Sequence, residues 1–305
     1  MAFSTCFYKL NNVPLDSENC IVTVGSTLLS AISVDRTVST VPQRHGSIPS
    51  GMTPRFSERQ LSLQVCAWEP DVLGESSRLM RLCTMPNLVM SRIVDGVEQR
   101  TRVELTSLSP DDSKSHPNRF VPFTAVFAMP DVWWRSVTHE TVSLPLNGGK
   151  VMSGGSVMPS AGYYTFWQGV PNASPSVLST QLPYSCGDAP ITDMVFRFPK
   201  GVTGITVKDT VSGTGITWSG TRVDARPYLY LDAGSLTAWS SDSDSAWSGG
   251  SQNETVGLDY LPSGRLQVNP DVSGDYRIAV KATGSGNVAC RFKRSWWCFP
   301  ALGDG

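Results

Sequence analysis

RFVPFTAVFAMPDVWW, residues 119–134, decides how the rest of the chain reads. Phe123, Ala125 and Phe127 share one face of an extended segment, and Thr124, Val126 and Ala128 share the other. Both faces are largely apolar, so a strand covered on both sides is expected. Pro130 and Asp131 stop it, because proline cannot donate to a sheet ladder. Two tryptophans come next. The residues before this stretch read as one compact unit and those after Val142 as another. The stretch is therefore expected to be the last strand of a first domain, residues 1–138, and the lead-in to a second, residues 139–305.

At 305 residues the chain is long enough for two domains. Charged residues make up 17% and apolar residues 40%, with 27 glycines and 21 prolines, a composition of short strands and polar turns. A formal net charge of −1 supplies no field to draw the chain to nucleic acid or an anionic membrane. No run of about 18 apolar residues occurs, so no membrane insertion is expected. The first residues lack a basic start followed by an apolar stretch and are not expected to be a secretory signal. Seven cysteines without a CxxC spacing fit buried, reduced thiols; Cys290 and Cys298 are close enough in sequence to leave a bridge open.

Taken in order, residues 20–24 and 28–34 read as strands joined by turns. Residues 41–54 are a loop broken by Pro42, Gly46, Pro49, Gly51 and Pro54. A strand comes after it, with Leu61, Leu63 and Val65 on one face and Gln60, Ser62 and Gln64 on the other. The one helix candidate is residues 75–84, where Leu79, Leu82 and Cys83 share a face, with Asp71 or Gly74 as cap. Asp95 and Gly96 mark a two-residue hairpin between strands at 88–92 and 97–105. Beyond residue 140 no helix is expected. Strands are read at 141–146, 194–198 and 228–232, a loop or edge at 147–162, and hairpins at 204–218 and at 275–282 with 288–296, a spacing that suits a β-sandwich.

Reactive groups are sparse. His45, His116 and His139 each stand alone in polar or turn-like contexts, and no nucleophile, phosphate-loop, dinucleotide or zinc motif occurs. No catalytic residue, metal ligand or cofactor is assigned, and the chain is not expected to be an enzyme. Asp242 and Asp244 lack the partners of a calcium loop. Trp239 and Trp247 flank that acidic stretch and read either as sugar-stacking rings, with Asp242 and Asp244 beside them, or as packing plugs on the sandwich. Trp133 with Trp134, and Trp296 with Trp297, lie at domain ends, where one ring of each pair can enter a core and the other an interface.

Several stretches together resemble the distal tail proteins of long-tailed bacteriophages (Dit-like, minor tail proteins). They are VPQRHGSIPSG at 41–51 with RFSERQLSLQV at 55–65, ESSRLMRL at 75–82, and FAMPDVWW at 127–134. The later order MVFRF, GITVKDT, GITWSG, YLYLD, YRIAV and RFKRSWW completes the likeness over nearly the whole chain. The resemblance implies a mainly β protein: an N-terminal β-rich domain with one short helix, and a C-terminal galectin-like β-sandwich. Six copies would close into a ring at the tail tip of the virion, assembled in the host cytoplasm. The ring would join the tail tube protein to the tail hub and surround the exit path of tape measure protein and DNA. Receptor-binding or other minor tail proteins would be further partners.

A closed ring needs head-to-tail contacts. They are expected in the 42–54 loop, through Arg44 and His45, at Arg55 just after it, and at the Asp95–Gly96 turn. Trp133, Trp134, Trp296 and Trp297 are aromatic candidates for inter-domain or partner contacts. A lumen that DNA slides through should be neutral or acidic. The alternatives are a carbohydrate-binding, lectin-like host-recognition protein reading sugars through Trp239 and Trp247, and a hydrolase with a facing carboxylate pair.

Overall fold

The computed structural model describes residues 6–27, 29–35, 38–39, 42–43, 45, 48–49, 53–94, 96–116, 118–146, 176–181, 187–221, 226–272, 274, 276–284 and 286–297. The chain is mainly β and divides into two compact units, residues 1–50, 54–137 and 296–305 in the first and 51–53 and 138–295 in the second. The expected division gave all of 139–305 to the second domain. In the structure, Trp296 and Trp297 group with the first unit. All of the 147–162 stretch and part of the 42–54 loop lie outside the described residues.

In the first unit the strands are β1 (Cys6–Leu10), β2 (Val13–Pro14), β3 (Cys20–Val22), β4 (Val34–Asp35), β5 (Val38–Ser39), β6 (Ile48–Pro49), β7 (Arg55–Phe56) and β8 (Arg59–Trp68). Then come α1 (Val72–Cys83), β9 (Leu88–Val94), β10 (Val97–Pro110), β11 (Phe120–Met129) and β12 (Trp134–Ser136). One large sheet runs β2-β1-β9-β10-β11-β8-β3, with β12 paired to β10. The strand in the opening stretch is β11, in antiparallel register with β8 from Phe120↔Trp68 to Met129↔Arg59. Its Phe123, Ala125, Phe127 and Met129 are buried, while Thr124, Val126 and Ala128 are half-buried rather than fully covered. It is not the last strand of the unit, because β12 comes directly after it. Of the described residues 29–34, only Val34 is in a strand.

Chain length shows that this sheet curls. Its outermost strands, β2 and β3, sit at opposite ends of a seven-strand order. Six spacings at about 4.8 Å would put them about 29 Å apart if the sheet were flat. Only six Cα steps join Pro14 to Cys20, a reach of at most about 21 Å. The edges must therefore approach each other, and α1 fills the concave side with Val72, Leu79, Leu82 and Cys83 buried. Leu10, Leu63, Phe123, Phe127 and Trp134 complete that core.

The helix starts three residues earlier than its apolar face shows. Asp71 caps it, its Oδ1 accepting from the Gly74 N–H at 3.0 Å. A Cβ on Gly74 would stand 2.1 Å from Asp71 Oδ2, which explains a glycine inside the first turn. Arg78 pairs with Glu75 at 2.6 Å and donates to the Pro14 and Leu15 carbonyls, tying the helix to the crossing segment.

Burial pushes the Cys20 thiol up to about 12 and Cys83 to about 11. Only thiolates react readily. Both cysteines are expected to stay unmodified when the native chain meets iodoacetamide at mildly alkaline pH and to label on denaturation, as read by peptide mass spectrometry. Rapid labelling of Cys20 in the folded chain would contradict this packing.

The second unit holds β13 (Glu140–Leu146), β14 (Ser176–Gln181), β15 (Val195–Phe198), β16 (Thr203–Asp209), β17 (Gly215–Trp218) and β18 (Tyr228–Asp232). After these come β19 (Thr237–Ser241), β20 (Gln252–Asn253), β21 (Leu258–Tyr260), β22 (Arg277–Thr283) and β23 (Gly286–Phe292). Two sheets, β13-β23-β15-β18-β19-β20 and β14-β22-β16-β17-β21, enclose one apolar core. Phe196, Phe198, Leu229, Val288 and Phe292 enter it from one sheet and Ile205, Val207, Trp218, Ile278 and Val280 from the other. This is a β-sandwich.

The expected hairpin of 275–282 with 288–296 is not one. β22 pairs with β14 and β16, β23 pairs with β13 and β15, and the Gly284–Gly286 turn carries the chain between sheets. Period-two patterning tells which side of a strand faces the core but not which sheet holds it. The last strand, β24 (Ser295–Trp296), pairs with β12.

Candidate assembly surfaces

Between β3 and β8 the first unit carries two small ladders outside its large sheet. Val34↔Phe56 and Asp35↔Arg55 form one, and Val38↔Pro49 and Ser39↔Ile48 form the other. They run in sequence toward Gln43 and His45, both exposed. Leu29, Ile32 and Val34 at the root are 59%, 46% and 44% exposed. Two-stranded ribbons with so few rungs are marginal in water by themselves, so exposed apolar groups on this one make it a surface suited to a partner. Of the expected contact residues, Arg55 is exposed in β7, and Gly96 closes the β9–β10 hairpin at a φ of +79°, a backbone that favours glycine. Arg44 and Asp95 lie outside the described residues.

The root of the ribbon is anchored by aromatic rings. Phe56, Trp133 and Trp297 meet edge to face, with centroids 4.8 to 6.0 Å apart. Arg59, 2% exposed, lies beside them. Its Nη1 donates to the carbonyls of Val132 at 3.1 Å and Trp297 at 2.9 Å, and its Nη2 to that of Ser30 at 3.0 Å. One guanidinium thus ties three separate stretches of chain. Val132 sits at a φ of +67° in the turn after β11, a costly conformation for a β-branched residue. Trp133 and Trp134 are both buried, as is Trp296, so only Trp297 of the four is half-exposed.

Sequence reading missed Arg59 and Arg92, although a signal existed. Arg59 continues the inward register of Leu61, Leu63 and Val65, and Arg92 that of Leu88, Met90 and Val94. A charged residue at an inward position implies a special partner. Arg92 is fully buried, with Nε donating to Gln99 Oε1 at 2.7 Å and its guanidinium 4.1 Å from the Trp134 ring centroid.

In the second unit the outward face of β19, β18, β15 and β23 carries Trp239, Tyr230, Arg197 and Arg291. Trp239 is 8% exposed and stacked on Tyr230, with centroids 5.6 Å apart and planes within 6°. The loop after β19 folds over this face. Trp239 Nε1 donates to the Ala246 carbonyl at 2.8 Å, Tyr230 Oη donates to the Ser243 carbonyl at 2.7 Å, and Arg197 donates to the Asp244 carbonyl. Trp247 meets Tyr230 edge to face and has the guanidinium groups of Arg197 and Arg291 at 5.4 and 5.7 Å. The Asp242 and Asp244 side chains are 80% and 67% exposed and lie 4.0 and 3.8 Å from Arg226 and Arg197. Both tryptophan rings are engaged within the chain.

Among the described residues no cluster of three His, Cys, Asp or Glu could hold a metal ion, and no helix is long and apolar enough to cross a membrane. An open cleft of about 540 Å³ runs between residues 83–88, residues 102–105 and Pro130, with Arg102 and Glu104 as its charged lining. It brings together no acid–base or nucleophile pair of the kind catalysis uses.

No family model matches this chain, and no curated protein matches it. Among solved structures it is similar to the Dit protein (gp 19.1) of phage SPP1, described as a paradigm of the hub adsorption apparatus in phages infecting Gram-positive hosts. The TM-score is 0.55 at 11% identity, over 95% of this chain and 99% of that one. The baseplate of phage P2 in its activated conformation with Ca gives 0.43 at 12% identity, over 95% and 98% of the two chains, too low a score to argue from. At this identity the likeness to the SPP1 protein is one of fold. The resemblance to distal tail proteins read from the sequence thus holds for the fold, across both units.

Proposed function

We propose that this chain is a structural component of a bacteriophage tail tip. Copies of it, six by analogy with the family it resembles, close into a ring that joins the tail tube to the tail hub and surrounds the exit path for DNA. Its neighbours are then itself, the tail tube protein, the hub protein, the tape measure protein and other minor tail proteins, and it resides in the virion. The observation that carries this reading is the fold shared with the SPP1 hub protein over almost the full length of both chains. The near-zero charge agrees with it, since a wall that DNA slides past should not hold phosphates. So does the ribbon of β4 to β7, whose exposed apolar root calls for a covering surface that a neighbouring copy supplies.

Deleting residues 40–47 tests the ribbon's part in this. The shortened chain is expected to keep its circular dichroism spectrum and thermal transition and to lose its high-mass species in sedimentation. Assembly equal to that of the full chain would remove the ribbon from the ring contact. The lectin reading has less support, because Trp239 is buried on Tyr230 and Trp247 is engaged with two arginines.

A further inference from the structure

On the outward face of the sandwich, two cations stand outside the ion pairs found among the described residues. Arg197 reaches Asp244, and Arg294 is paired with Glu140. Arg291 and Lys293 have no carboxylate in contact among the described residues, although both are half-buried. Arg291 is also held in place. Its guanidinium lies 5.7 Å from the Trp247 ring centroid, and its Nη2 is 3.3 Å from His139 Nδ1. A guanidinium fixed by an aromatic ring has lost little freedom when it meets an oxyanion, and its planar fork matches two oxygens at once. His139 is exposed and stands at the start of β13, where Thr141 pairs with Arg291.

We propose that Arg291, Lys293 and His139 form a binding site for a phosphate group on the outer face of the second unit. Two cations without an ion pair among the described residues match the charge of about −1.5 to −2 that a phosphate monoester carries near neutral pH better than they match a single carboxylate. Arg291 supplies the bidentate contact, Lys293 the second charge, and His139 a ring nitrogen at the rim. Partly buried cations without a counter-charge cost desolvation, and a bound phosphate offsets that cost. This site stands on the second unit alone and does not depend on ring formation.

His139 reports on the site. Desolvation, then the charges of Arg291 and Lys293, hold it below the usual histidine range, with Asp193 opposing them. A phosphate bound beside it must raise its pKa. The chain has only three histidines, so proton NMR of the full-length protein can follow each ring. Titrated in inorganic phosphate, His139 is expected to protonate at a higher pH than in chloride of equal ionic strength, while His45 and His116 stay put. Arg291→Gln and Lys293→Gln should each lose that difference while keeping a dispersed, folded spectrum. Two variants are used so that misfolding of one leaves the other to decide. Glycerol phosphate should act as inorganic phosphate does, and acetate should act weakly. Equal His139 titration in phosphate and chloride would overturn the site. An acetate response as large as that to phosphate would overturn the assignment to phosphate.

Discussion

Arg59→Ala is expected to cost the first unit about 3–5 kcal/mol, because it leaves three carbonyls without their donor at about 1–3 kcal/mol each. The guanidinium is 2% exposed and donates to three carbonyls, those of Ser30, Val132 and Trp297. Without it these acceptors face a dry interior, and each unsatisfied buried group costs about 1–3 kcal/mol. Arg59 also steadies the strained Val132 turn and passes within 5.9 Å of the Trp297 ring centroid. Arg59→Lys should recover little, since an ammonium is a compact charge without the planar fork that reaches separated acceptors. Urea unfolding followed by tryptophan fluorescence measures the loss, with the transition of the first unit resolved from that of the second. A loss under about 1 kcal/mol would mean that water replaces the guanidinium, and the clip would be ornamental.

Arg92 is the second position of large effect. It is wholly buried between Gln99 and the face of Trp134. Arg92→Ala removes a large side chain from the core and strands the Gln99 amide, so a loss of about 3–5 kcal/mol is expected. Arg92→Met separates the two contributions. It keeps most of the volume and removes the buried charge, and apolar replacements of that kind are often neutral or stabilising. The expected order of stability is therefore Met above Lys and Ala, read from the same urea midpoints. If Lys proved the best replacement, positive charge on Trp134 would matter more than packing.

These two arginines also show how much was legible in advance. Alternation in β8 grouped Leu61, Leu63 and Val65 on one face, and that face is buried; the Asp95–Gly96 pair marked the β9–β10 hairpin. Both signals are local, and both hold, whereas β11, apolar on both faces, buries only one of them fully. The helix began at Val72 rather than residue 75, because a cap, not an apolar stripe, sets the first turn. Long-range pairing was not legible. β22 and β23 alternate alike and bury the same side, so nothing local says that they enter opposite sheets. Tryptophans stood out as candidates from composition alone. Their partners Arg59 and Arg197 did not, since lateral neighbours are set by strand register rather than by distance along the chain.

The ring is the central claim, and imaging tests it most directly. Purified full-length protein, concentrated and viewed by negative-stain electron microscopy with its mass measured in the same solution, should show closed rings with six-fold symmetry and a mass six times that of the 33.0 kDa chain. Single subunits at every concentration, or open filaments in place of closed rings, would contradict it.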